Sequence, residues 1–260
     1  MRILCLLAAP LVSCVASFPD IDAGARYVNF EPDGDLQLTS GTSNTGNTVN
    51  DLGLNGSDGT VGAFASLKFG VPHFSVSSQS SSWQGSGVLS SQISLDGVTL
   101  DADTPVNSEL DLGLHSALLT WDLIPGSTEL GIGFGVAGIE LAGSFEGVVP
   151  IVGVQRVEFD EIVPVPLLAV RAGIDLGFME LGGTLAGLAV DIDDDEATIF
   201  DLDVSGRFCV LGSRRAGGAF VTLGWRQLEI DVDVTDDGDG DLIDTSLSFY
   251  GPFAGLQLSF

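Results

Sequence analysis

Thr198-Ile199-Phe200-Asp201-Leu202-Asp203-Val204-Ser205-Gly206-Arg207-Phe208-Cys209-Val210 alternates without a break. Phe200, Leu202, Val204, Phe208 and Val210 share one parity, and Asp201, Asp203, Ser205 and Arg207 share the other. Successive side chains of an extended backbone point to opposite faces, so this stretch is a strand with one apolar and one small or charged face. The pattern recurs. Leu130, Ile132, Phe134 and Val136 alternate with Glu129, Gly131, Gly133 and Gly135, and Val61, Ala63, Ala65, Leu67 and Phe69 alternate with Gly62, Phe64, Ser66 and Lys68. Further segments fall at about 20–30, 73–83, 108–122, 163–174, 178–190, 219–234 and 246–260, roughly ten strands in all. Each is near the ~9–11 residues that cross a bilayer as a tilted strand.

The connections sort by length. Quick reversals occur at Gly70-Val71-Pro72, at 124–127, at Asp175-Leu176-Gly177 and at 211–217, whereas 31–59, 84–107, 143–162 and 235–245 read as long polar loops and 191–197 as a brief one. Short turns at one rim and long loops at the other are the asymmetry of an outer-membrane barrel. The expected fold is therefore all-β, a transmembrane antiparallel up-and-down β-barrel of about ten strands, with eight or twelve as alternatives. A soluble lipocalin-like barrel would turn the same apolar rows inward. Around Trp225 to Leu228 the apolar row changes parity, which predicts a bulge or an exit from the membrane.

The charges follow this geometry. Lys and Arg number 9 against 36 Asp and Glu, a formal net charge of −27, while the mean hydropathy is +0.37. So few bases cannot neutralise a phosphate backbone, which excludes nucleic-acid binding, and so apolar a chain is not globally disordered. Arg26, Lys68, Arg171, Arg207 and Arg226 are the basic residues of the expected strands, each opposite the apolar row. Glu129, Glu180, Asp201 and Asp203 share that inner face, which predicts a plug of ion pairs or the lining of a narrow pore.

At the start, Met1-Arg2, the apolar run 3–12 and small residues after it read as a secretory signal over 1–17, leaving 18–260 as one barrel domain. Val15-Ala16-Ser17 fits an ordinary cleavage site, and Leu11-Val12-Ser13-Cys14 fits a lipobox in which Cys14 carries lipid. Cys209 has no disulfide partner in the mature chain. Asp237, Asp239, Asp241 and Asp244 have the alternate spacing of a Ca²⁺ loop, although Leu242 stands where such loops carry Gly; otherwise no cofactor is expected. His115, with Asp111 four residues away, is read as facing the lumen, and no motif places a nucleophile beside it, so the chain is expected not to be an enzyme.

Leu256, Leu258 and Phe260 end the chain with apolar residues at every second place. This resembles the C-terminal signal that the barrel-assembly machinery reads. Together with Ala25-Arg26-Tyr27, the Pro164 to Leu168 entry and Tyr250-Gly251-Pro252-Phe253-Ala254-Gly255-Leu256, it resembles a family of small bacterial outer-membrane proteins of unassigned activity. The resemblance implies the outer membrane as location, the bilayer and the assembly machinery as partners, and a monomer. It supplies no catalytic residues. The function expected is a structural or surface-interaction role with a largely filled lumen; the alternatives are a narrow solute channel and, behind it, a rim or lumen hydrolase.

Overall fold

The computed structural model describes residues 19–40, 46–95, 98–124, 127–149, 153–192, 195–213, 217–235 and 241–260. Its strands are β1 (Asp20–Ser40), β2 (Asn47–Thr48), β3 (Asp58–Lys68), β4 (Pro72–Val88), β5 (Ile93–Leu95), β6 (Val98–Leu100), β7 (Pro105–Ile124), β8 (Thr128–Val149), β9 (Gly153–Asp175), β10 (Glu180–Ile192), β11 (Asp195–Ser213), β12 (Gly217–Thr235) and β13 (Asp241–Ser259). Each long strand pairs antiparallel with its sequence neighbours, and β13 pairs back onto β1 from Asp22 opposite Ser259 to Ser40 opposite Asp241. The ring is closed around its lower part, so no strand there is left as an edge to pair with another chain. The soluble alternative fails on orientation: Phe134 is 56% exposed and Leu256 68%, so the apolar rows face outward.

The strands are much longer than a bilayer requires. β1 runs through the expected loop as far as Ser40, and β8 and β9 occupy most of 143–162. The reason lies in the parity change. On β12 the outward row is Val221, Leu223 and Trp225 and then Gln227, Glu229 and Asp231, while the inward row passes from Thr222 and Arg226 to Leu228 and Ile230. The register against both neighbours is continuous there, so there is no bulge; the strand leaves the apolar belt without changing course. β1 does the same, with Ala23, Ala25 and Tyr27 giving way outside to Glu31, Asp33 and Asp35 while Arg26 gives way inside to Val28 and Phe30. Below the switch the wall is apolar outside and polar inside; above it the order is that of a water-soluble barrel. Arg156, read as a loop residue, is on the upper part of β9 and pairs with Glu158 there at 2.5 Å.

Two seams interrupt the upper wall. β3 pairs with β4 only from Lys68 opposite His73 to Ala63 opposite Ser78, although β3 continues along β1 to Asp58 and β4 continues along β7 to Val88. β9 pairs with β10 only from Asp175 opposite Glu180 to Leu168 opposite Gly187, although β9 continues along β8 to Gly153 and β10 continues along β11 to Ile192. Pro164 and Pro166 stand on β9 just above the parting. Two residues without an N–H on the same parity cannot supply a ladder on that side.

Candidate functional site

The lower lumen is filled by ion pairs that run across it. Arg226 of β12 holds Asp201 of β11 in a two-pronged contact, Nε to Oδ1 at 2.9 Å and Nη2 to Oδ2 at 2.8 Å, and its Nη1 donates to Gln79 Oε1 of β4 at 3.3 Å. Arg26 of β1 bonds Asp203 of β11 and lies over the Phe253 ring, 5.2 Å from its centroid. Arg207 of β11 reaches Glu180 at 2.6 Å and Asp22 at 3.3 Å, with Phe220 beneath its guanidinium. Lys68 of β3 crosses to Asp122 at 2.8 Å and Glu129 at 2.5 Å, and Arg171 of β9 bonds the same two carboxylates.

These contacts bring together Arg26, Lys68, Arg171, Arg207, Arg226, Glu129, Glu180, Asp201 and Asp203, and they add three residues that the sequence analysis left out: Asp22, Asp122 and Gln79. Asp22 shares parity with Arg26, and Asp122 with the buried Thr120, a signal present in the sequence but at the ends of the segments read. Five bases against six acids nearly cancel inside. The excess acid of the chain therefore resides elsewhere. Buried ions are tolerated only when paired and hydrogen-bonded, and each base here has at least one carboxylate.

Above the ions the lumen is apolar. Phe30, Trp83, Phe249, Leu110, Leu112, Leu228, Ile230 and Leu247 are all buried in one cluster, and Trp83 stacks on Phe249 with centroids 5.2 Å apart. Over this core lies a cover. The β5–β6 hairpin contacts both β1 and β9, which stand on opposite sides of the ring, so it crosses the mouth, and its own Ile93 and Leu100 are fully buried in the core cluster. The 46–54 segment adds Val49, Leu52 and Leu54. Asn47 ties the two pieces together: its Oδ1 accepts from the Ser90 and Ser91 amides and its Nδ2 donates to the Ser91 carbonyl. Asp51 closes the same loop. Burial pushes its carboxyl upward, but hydrogen bonds from Ser90 and Thr48 prevail and hold it below the usual carboxylate range.

His115 is not in the lumen, and this corrects the sequence analysis. Leu110, Leu112 and Leu114 point inward and Ala117, Leu119 and Trp121 outward, so the apolar row on β7 changes parity just at the histidine, and His115 belongs to the outward row. His115 and Asp111 lie on the outer wall. There Nδ1 of His115 is 2.9 Å from Ser78 Oγ on β4, and Nε2 is 3.7 Å from Glu140 Oε1 on β8.

Leu256, Leu258 and Phe260 are exposed on the outer wall at the short-turn rim. Cys209 is a free thiol whose Sγ is 3.6 Å from the Leu211 carbonyl. Segment 1–17 with Cys14, and Asp237 and Asp239, lie outside the described residues, while Asp241 and Asp244 stand on β13 opposite Ser40 and Gln37. Among the described residues no group of three or more His, Cys, Asp or Glu is placed to hold a metal ion.

Neither a protein-family model nor a curated protein matches the sequence. Solved structures match the fold. The outer membrane protease OmpT from Escherichia coli superposes with a TM-score of 0.60 at 11% identity, over 95% of this chain and 100% of that chain. The toluene transporter TodX from Pseudomonas putida has a TM-score of 0.37 at 9% identity, over 100% of this chain and 93% of that chain. The transport unit of the autotransporter AIDA-I from Escherichia coli has a TM-score of 0.34 at 9% identity, over 96% and 92%. The chain has the fold of an outer-membrane β-barrel. In barrels of this kind the short-turn rim, where both ends of the barrel meet here, faces the periplasm and the opposite mouth faces outward.

The likeness to OmpT also corrects the expectation of a non-enzyme. A protease occupies this architecture over essentially its whole length, so the fold gives no ground for excluding catalysis.

Proposed function

We propose that this outer-membrane barrel is a sealed, monomeric scaffold that acts through its outer wall and its extracellular end, in contact with lipid and with whatever meets the cell surface, and does not conduct through its lumen. The observation that carries this reading is the stacking of three closures: ion pairs below, the aromatic core around Trp83 and Phe249 above, and the β5–β6 cover across the mouth. A solute path would have to break largely buried charge pairs and displace an apolar core in turn, each at a cost of several kcal/mol. Purified protein inserted into planar bilayers is expected to give no conductance steps. Reproducible ohmic steps from folded protein overturn the reading in favour of a channel.

The exposed row Leu256, Leu258, Phe260 supports assembly through the C-terminus, since side chains at every second place present one continuous face to a reader. Deleting Phe260 is expected to lower the amount of heat-modifiable barrel in the outer membrane several-fold while the chain is still exported. Normal assembly of the deletion removes this role for the terminal residue.

A further inference from the structure

Three successive rows of the outer wall lie at the upper edge of the apolar belt. Across β4, β7 and β8 the register aligns Val76 with Ala117 and Val136, then Ser78 with His115 and Gly138, then Ser80 with Gly113 and Glu140. The lowest of these rows is apolar and exposed, the next holds a hydroxyl, an imidazole and a gap, and the third holds a carboxylate. This is the height at which the belt gives way to polar residues, hence the water boundary of the outer leaflet. Fatty-acyl esters of membrane lipids lie at that depth, with their chains below and their head groups above.

The side chains are arranged for reaction as well as for solvation. Ser78 Oγ and His115 Nδ1 are 2.9 Å apart, within reach for proton transfer. Nε2 of His115 faces Glu140 at 3.7 Å, ion-pair distance once the ring takes a proton, and both side chains are nearly half exposed. Glu140 occupies space that a side chain at 113 would take: a Cβ on Gly113 would come within 2.8 Å of Glu140 Oε2. Gly138, directly across from His115, has nothing within 4 Å of where its Cβ would stand, which leaves an open notch beside the imidazole.

We propose that Ser78, His115 and Glu140 form an esterase site on the lipid-facing wall that cleaves fatty-acyl esters of outer-leaflet lipids. The inference rests on the reading that this barrel works from its outer wall. Ser78 Oγ attacks the ester carbonyl carbon while its proton passes to His115 Nδ1. As the ester C–O bond breaks, that proton goes to the departing alcohol oxygen, leaving acyl-Ser78. Water then gives a proton to His115 and its oxygen to the acyl carbon; Ser78 leaves, takes the proton back, and a fatty acid is released. Ser78 and His115 are the catalytic residues. Glu140 is a positioning residue that holds the ring and offsets its transient charge.

The full-length protein, folded in detergent and then in vesicles, is treated with a fluorophosphonate and separately assayed for fatty-acid release. Two vesicle compositions distinguish the lipid sources: phosphatidylethanolamine alone, and phosphatidylethanolamine with lipopolysaccharide. The inference expects one phosphonyl adduct on Ser78, none in Ser78→Ala, and release from at least one composition. His115→Ala should lower release by about 100-fold or more, the usual contribution of a general base. Glu140→Gln should keep labelling but shift the pH–rate profile, which a merely structural carboxylate would not do. Gly138→Val should slow release while the barrel remains heat-modifiable.

Folded wild-type protein that is neither labelled nor active on either composition overturns the proposal, and so does labelling or release undiminished in Ser78→Ala. Conductance bears only on the sealed-lumen reading, so the two can fail separately.

Discussion

Arg226→Met is expected to destabilise the barrel by about 3–5 kcal/mol, the usual consequence of removing one partner of a buried ion pair. Arg226 is 2% exposed, and it satisfies both carboxylate oxygens of Asp201 as well as Gln79 Oε1. Its removal strands the mostly buried Asp201 beside the second carboxylate of the layer, Asp203. The loss comes chiefly from the unpartnered carboxylate left behind. The double variant Arg226→Met, Asp201→Leu should recover most of the stability, because an apolar pair of similar volume removes both charges at once. Urea unfolding in vesicles, followed by tryptophan emission, measures both. A single variant within about 1 kcal/mol of wild type, on the scale of an exposed pair, would falsify the buried-pair account.

Phe249→Ala is expected to cost about 3–5 kcal/mol, the range for truncating a buried aromatic. Phe249 is fully buried, stacked on Trp83 at 5.2 Å and tilted against Phe30 at 6.4 Å. In a lipid-immersed segment the hydrophobic effect would contribute little to such a contact, because lipid is as apolar as the core. Here the outer face beside it is turning polar: Ser246 and Ser248, on the outward row of β13, precede Phe249, and Tyr250 follows at the edge of the apolar belt. The upper barrel therefore depends on an ordinary hydrophobic core, and the variant should also shift Trp83 emission to the red in the folded state. A loss below about 1 kcal/mol without that shift would show that the upper core closes over the gap or does not bear on stability.

How much of this was legible beforehand depends on which face a residue serves. Phe200, Leu202 and Val204, or Ile132, Phe134 and Val136, declare themselves because lipid contact demands an apolar residue at every second place. The upper strands were hidden by the same rule. Glu31, Asp33 and Asp35 on β1 read as loop when the apolar row is sought outside, yet Val28, Phe30 and Leu36 continue the strand on the inside. His115 was misplaced for the same reason, since Leu110, Leu112 and Leu114 belong to the inner core and not to the lipid face. The parity change at Trp225 was visible in sequence, but it marked a change of solvent and not of backbone.

By itself the sequence determined the alternation, the approximate number of strands, the rim with short turns and the inner placement of five bases among few acids, because each is a local consequence of a side-chain period of two. Only the tertiary structure decided which residues meet. Lys68 with Glu129, Arg26 with Asp203, Ser78 with His115 and Glu140, and the hairpin laid from β1 to β9 all join separate strands. Their partners depend on the shear and closure of the ring, which pair residues across the lumen or across the wall by register, and register is a property of the closed sheet that no single segment carries.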